Sequence, residues 1–132
     1  MKYYVYTLSN GTELKLRLTS GECIEIETST RKSILEYIQE ESMTSMCTLL
    51  RYMVKEKNGE PVQNFSFKNA QALFDEMIDC DMTLKEILMD VIYETLVVSG
   101  FLKKEDWEEM KTAQTNASKK VQKKAVEKLN EI

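Results

Sequence analysis

The sequence Ser/Thr-x-x-Glu occurs at three places in this chain and restricts its fold more than any other feature. In this pattern the hydroxyl accepts a hydrogen bond from an N–H group of the first helical turn. The glutamate binds back to the N–H of the capping residue. The pairs are Thr19–Glu22, Ser33–Glu36 and Thr83–Glu86, and each predicts where a helix begins. We therefore expect the chain after residue 19 to be mainly helical.

The first 18 residues carry the pattern of strands instead. YYVYTL at residues 3–8 is rich in aromatic and β-branched residues, and ELKLRL at residues 13–18 alternates apolar and charged residues. Asn10-Gly11 between them suits the positive φ angles of a tight turn. We predict a β-hairpin, and because a lone hairpin is marginal in water, other elements must cover its apolar face.

The segment after Thr19 permits two interpretations. IEIE at residues 24–27 alternates as a strand does, whereas the capping pair favours a helix. We favour a helix that starts directly after Thr19, is interrupted near Thr30 and restarts at Ser33. A third strand over residues 22–28 is the alternative.

Three further helices follow from apolar residues spaced i, i+3, i+4, i+7. The first covers residues 43–55 and ends before Asn58-Gly59. The second is capped by Asn64 or Ser66. The third runs from Thr83 to Ser99-Gly100, and its many apolar residues predict the centre of the bundle. The predicted fold class is α+β, mostly α, with a short N-terminal β-hairpin packed on a bundle of about five helices.

Composition changes after residue 102, and the net charge changes sign at residue 111. Twelve Lys/Arg and 20 Asp/Glu precede residue 111, a net charge of −8, and the remainder carries +4. We predict a folded domain over residues 1–102 and a charged, helix-prone C-terminal extension over residues 103–132, which becomes ordered only against a partner. The acidic domain argues against nucleic-acid binding.

No apolar run reaches about 18 residues, which predicts no membrane span. The N-terminus lacks a secretory apolar core, which favours the cytoplasm.

The residue types argue against an enzyme. The chain has no histidine, which removes the most common general base and transition-metal ligand. We expect no cofactor and no metal, and we interpret Cys23, Cys47 and Cys80 as single buried thiols. DCDMT at residues 79–83 matches the DxDxT nucleophile loop of haloacid-dehalogenase-type phosphotransferases and partly matches a calcium loop. We favour a turn between helices there, because the motif follows a helical pattern and Leu84 stands where a calcium loop needs glycine.

Eight methionines in 132 residues suggest either core filling or an adaptable surface for an apolar partner. We assign most of them to the core and regard Met43 and Met46 as better candidates for the surface. The residues predicted to contact a partner are Met43, Met46, Leu50, Met53, Phe101 and Trp107.

The pieces LRLT, IEIE, KSIL, TSMCTLLRYMV, FSFKNAQALFDEMI and the final apolar helix ending in SGF occur in this order. Over roughly residues 2–102 this order resembles the tail assembly chaperones of long-tailed phages and of prophages in Gram-positive bacteria. Thr30-Arg31 departs from the pattern, because glycine often stands before the Lys-Ser pair in such sequences.

The resemblance implies a small, α-rich, non-enzymatic protein that acts in the host cytoplasm and forms homo-oligomers. It implies that the protein binds the apolar tape measure protein and helps to recruit tail tube subunits around it. The alternative is a regulatory adaptor or scaffold protein of a prophage or mobile-element operon, which would bind one specific folded partner.

Overall fold

The computed structural model describes residues 2–113. The chain divides into two units, Met1–Phe101 and Leu102–Ile132. The first unit is mostly helical with a small antiparallel sheet, which confirms the predicted α+β, mostly α class. In the second unit residues 104–113 are helical, and residues 114–132 of the predicted extension lie outside the described residues.

The predicted hairpin is confirmed. Strands β1 (Tyr4–Thr7) and β2 (Glu13–Leu16) pair antiparallel. The turn differs from a two-residue turn: the Leu8 carbonyl accepts from the Gly11 N–H at 2.9 Å, and the Leu8 N–H donates to the Thr12 carbonyl at 2.8 Å. Gly11, at φ 91°, supplies the left-handed residue of this three-residue turn, whereas Asn10 does not have a positive φ.

Helix α1 spans Ser20–Thr30, so the alternative of a third strand over residues 22–28 is wrong. The Glu22 N–H donates to the Thr19 hydroxyl at 3.3 Å, and the Thr19 N–H donates to the Glu22 carboxylate at 3.0 Å. This reciprocal pair is the predicted capping box. The helix ends at Arg31, whose φ of 59° is left-handed.

Helix α2 (Ile34–Glu40) begins after Ser33, as predicted, but its capping pair is only half formed. The Ser33 hydroxyl accepts from the Glu36 N–H at 3.2 Å. The N–H of Ile34 instead donates to the Glu27 carboxylate of α1 at 2.8 Å. A side chain from the preceding helix therefore satisfies a donor of the first turn.

Helix α3 spans Met43–Met53, and the prediction that it continues to residue 55 is wrong. Val54–Lys55 form strand β3, which gives the sheet the order β1-β2-β3 with Lys15 opposite Lys55. The Arg17 N–H donates to the Met53 carbonyl at 2.9 Å. Pairing with the open edge of β2 therefore makes Val54–Lys55 a strand, whereas the local sequence pattern predicts another half-turn of helix.

Helix α4 (Phe67–Asp79) is capped by Ser66, which decides between the two predicted caps. The last helical segment begins with α5 (Leu84–Glu86), continues as a π-helix over Ile87–Tyr93 and ends with α6 (Glu94–Val98). The sequence pattern predicts one regular helix here, and this prediction is wrong for Ile87–Tyr93, which are π-helical.

Hydrogen bonds from side chains satisfy carbonyl groups of the π-helical stretch. The Tyr4 hydroxyl of β1 donates to the Asp90 carbonyl at 2.7 Å, and the Thr95 hydroxyl donates to the Val91 carbonyl at 2.6 Å. The helix ends as predicted at Gly100, φ 91°, whose N–H donates to the Val97 carbonyl at 3.1 Å.

The core of the first unit lies between the hairpin and the helices. Leu14 and Leu16 point inward from β2, and the last helical segment contributes the fully buried Ile87, Val91, Ile92 and Leu96. This confirms the prediction that the last segment is central. Among the described residues, no helix combines the length and apolar character needed to cross a membrane.

Candidate functional site in the groove between α3 and α4

An apolar groove of about 210 Å³ lies between α3 and α4. From α3, Met43 and Cys47 face it one helical turn apart, and from α4, Phe67 and Phe74 do so two turns apart. Cys47 and Phe74 are buried, Phe67 is half-buried and Met43 is 48% exposed. The groove therefore has a closed apolar floor and an accessible apolar entrance.

Three polar side chains complete the lining: Thr44, Gln71 and Asp75. All three are exposed. Polar groups beside an apolar pocket fix the orientation of a ligand, whereas the apolar floor supplies most of the binding free energy. The volume is below the roughly 300–1,000 Å³ of pockets that enclose a whole small molecule, so the groove matches one large apolar side chain.

The caps of both helices fix the ends that form this groove. In α3 the Ser42 hydroxyl accepts from the Ser45 N–H at 3.0 Å, and the Ser45 hydroxyl accepts from the Ser42 N–H at 3.0 Å. Ser66 and Asn69 make the same reciprocal contact at the start of α4. Met43 and Phe67 are the first residues of their helices, so these caps position both side chains.

The thiol at the floor is suited to packing rather than to chemistry. Burial raises the pKa of Cys47, and the negative charge of Asp75 raises it further. A thiol with a raised pKa stays protonated at neutral pH and is a poor nucleophile. Cys47 therefore acts as a small apolar group.

The six residues predicted to contact a partner differ in their exposure. Met43 lines the groove and Phe101 is 37% exposed. The other four are buried: Met46, Leu50, Met53 and Trp107.

The expectation that Met46 lies at the surface is wrong, because it follows the inward face of α3 with Leu50 and Met53. The assignment of most methionines to the core is confirmed for Met53, Met77, Met82 and Met89. That Met43 and Phe101 contact a partner stays a prediction.

The remaining groove residues could not be identified from the sequence pattern. Phe67 and Phe74 belong to the predicted apolar face of α4, and Cys47 was assigned to the interior. Their spacing was visible in the sequence, but it does not show that α3 and α4 are neighbours.

The motif at residues 79–83 forms the predicted turn between helices. Asp79 is the last residue of α4, Asp81 has a left-handed φ of 66°, and Thr83 forms a capping box with Glu86. Leu84 begins α5, where a calcium loop would continue. Over the part of the chain that the structure describes, no three acidic or cysteine side chains converge to hold a metal ion.

Comparison with known proteins gives no relative: no family model, no curated protein and no solved structure matches this chain.

Proposed function

We propose that this protein is a phage tail assembly chaperone that binds apolar helical segments of the tape measure protein. The α3–α4 groove, which offers an apolar anchor pocket with a polar margin, is the observation that carries the proposal. The order of sequence elements that resembles the family supports it as well.

The physical basis is the exposure of apolar surface on an unassembled tape measure protein. Long apolar helices aggregate unless another protein covers them. A partner helix that lies across α3 and α4 would place one large apolar side chain over Cys47 and Phe74, with Met43 closing over it. Burial of one such side chain contributes about 1.5–3 kcal/mol, and the flexible Met43 adapts to side chains of different shape.

The proposal includes two further elements that the resemblance implies. The protein acts in the host cytoplasm, where it recruits tail tube subunits to the covered tape measure protein. It also self-associates, and light scattering of the purified chain should give a mass above the 15.4 kDa of one copy.

Co-expression with a fragment of the tape measure protein from the same genome tests this function. We expect the unaltered chain to keep the fragment soluble and Met43→Asp to lose most of this effect. Leu35→Asp is the matched control, because Leu35 is 62% exposed, lies in the first turn of α2 and does not line the groove. An added carboxylate in a first helical turn favours the helix, so both variants should fold. If the fragment precipitates equally with and without the unaltered chain, the proposal fails.

A further inference from the structure

A second cavity, of about 250 Å³, lies beside the outer face of the hairpin within the first unit. Its lining includes the Tyr3 ring, two cationic residues, Arg17 and Lys55, and two acidic residues, Glu22 and Glu60. It is separate from the α3–α4 groove and shares no residue with it.

Arg17 is the unusual residue of this cavity. One of its terminal nitrogens donates to the Lys2 carbonyl at 3.0 Å, and its guanidinium carbon lies 5.8 Å from the centre of the Tyr3 ring. Its Nε is buried and has no hydrogen-bond partner among the residues that the structure describes. Within the same part of the chain, no carboxylate forms a salt bridge with it. Buried polar groups almost always have a partner, so the unpaired Nε marks the Arg17 guanidinium as a donor with capacity for a further acceptor.

The other cation of the cavity is already neutralised. The Lys55 ammonium lies 2.7 Å from a Glu22 carboxylate oxygen and also donates to the Tyr52 carbonyl. The second Glu22 oxygen accepts from the N–H and the hydroxyl of Thr19 at the start of α1. Neither Lys55 nor Glu22 is therefore available to compensate the charge of Arg17.

The Tyr3 ring stands beside Arg17 and against the loop that carries Gly59. The Tyr3 hydroxyl donates to the Gly59 carbonyl at 3.4 Å, and a Cβ at Gly59 would lie only 2.4 Å from that hydroxyl oxygen. Glycine at this position thus permits the ring to stand against the loop. The Lys15 ammonium lies 4.5 Å from the centre of the same ring and adds positive charge near the cavity.

We propose that this cavity binds a carboxylate group, with the Arg17 guanidinium as its main donor. The fork of N–H groups on a guanidinium matches the two oxygens of a carboxylate. Glu60, which lines the same cavity, repels a doubly charged phosphate more strongly than a singly charged carboxylate. The volume is too small for a whole cofactor, so the ligand is the size of one acidic residue, and the Tyr3 ring packs against its aliphatic part.

Nuclear magnetic resonance of the full chain at constant ionic strength tests this site, with propionate and inorganic phosphate as probes. We expect propionate to shift the Arg17 Nε–H signal and the Gly59 amide saturably, and phosphate to shift them less. Arg17→Lys should weaken propionate binding by roughly tenfold, because the fork is lost. Arg51→Lys is the control and should leave binding unchanged, since the exposed Arg51 stacks on Tyr52 and does not line the cavity.

A second variant keeps the test decisive if Arg17→Lys does not fold. Glu60 is exposed, so Glu60→Gln should fold and should strengthen propionate binding by about two- to threefold as one repulsive charge is removed. Binding of a blocked peptide with one glutamate would be compared with binding of its glutamine counterpart. This comparison distinguishes the carboxylate of a protein side chain from a free small carboxylate as the ligand. The absence of a saturable shift with both propionate and the glutamate peptide, stronger binding of phosphate, or equal propionate affinity in Glu60→Gln would overturn the proposal.

Discussion

Replacement of Tyr4 by phenylalanine measures how firmly the hairpin is attached to the last helical segment. The Tyr4 hydroxyl donates to the Asp90 carbonyl at 2.7 Å, inside the π-helical stretch. A hydrogen bond of this kind contributes about 0.5–1.5 kcal/mol net. Because Asp90 is exposed, water can replace the lost donor, and we expect Tyr4→Phe to lower the free energy of unfolding by about 1 kcal/mol at pH 8.

The effect should shrink at high pH. Burial, followed by the charges of Glu94 and Asp90, raises the pKa of Tyr4 from 10.0 to about 12. A raised folded-state pKa means that the stabilisation is complete below pH 10 and is lost as the pH rises through 12. The full difference between the folded and unfolded pKa values of Tyr4 would correspond to about 2.7 kcal/mol. Because the ring is only half-buried, screening by water reduces this contribution to about 1 kcal/mol. The difference in stability between the unaltered chain and Tyr4→Phe therefore shrinks by this amount between pH 10 and 12, because the raised pKa values of Tyr6 and Tyr93 act in both chains.

Urea unfolding at pH 8 and pH 11, followed by circular dichroism, provides the assay. Tyr6→Phe is the matched control, because Tyr6 lies on the same strand and its hydroxyl has no hydrogen-bond partner within residues 2–113. We expect Tyr6→Phe to change the free energy of unfolding by less than about 0.5 kcal/mol at pH 8. If Tyr4→Phe and Tyr6→Phe behave alike at pH 8, the hydrogen bond to the π-helical stretch is not a stabilising link.

Three further predictions concern other parts of the first unit. Gly59→Ala should destabilise by at least about 1 kcal/mol, because φ is 88° and the new Cβ would meet the Tyr3 hydroxyl; a neutral result in urea unfolding would contradict this close approach. Ile92→Ala, at a fully buried position, should cost about 2–5 kcal/mol, whereas the same change at Ile24, 61% exposed, should cost less than about 1 kcal/mol; equal costs would refute the description of the core. Cys47 should react with iodoacetamide at pH 8 far more slowly in the native chain than in guanidinium chloride, since burial raises its pKa. Mass spectrometry measures both reaction rates, and equal rates would mean that the groove floor is open.

Elements with a local cause could be predicted from the sequence. The turn glycine Gly11, the capping hydroxyls of Thr19 and Thr83 and the terminating Gly100 each act within a few residues of their own position. Their hydrogen bonds depend on chain geometry that is the same in any protein. The helix order and the hairpin therefore follow from the pattern.

Features that depend on distant residues could not be predicted. Val54 leaves the helix because the edge of β2 lies beside it, and the π-helical stretch has its Asp90 carbonyl bound by Tyr4, 86 positions earlier in the chain. The same limit applies to the groove. Met43 was named because it is a methionine near polar residues, but Phe67 becomes its neighbour only when α3 packs against α4.

Site-specific photocrosslinking tests the central claim most directly. A photoreactive phenylalanine analogue at position 43, in the groove, and at position 35, outside it, would be compared in the presence of the tape measure fragment. We predict that position 43 crosslinks to apolar residues spaced three or four apart in the fragment, as on one face of a helix, and that position 35 gives little product. Equal crosslinking from both positions, or none from position 43 while the fragment stays soluble, would contradict the assignment of the α3–α4 groove as the binding site.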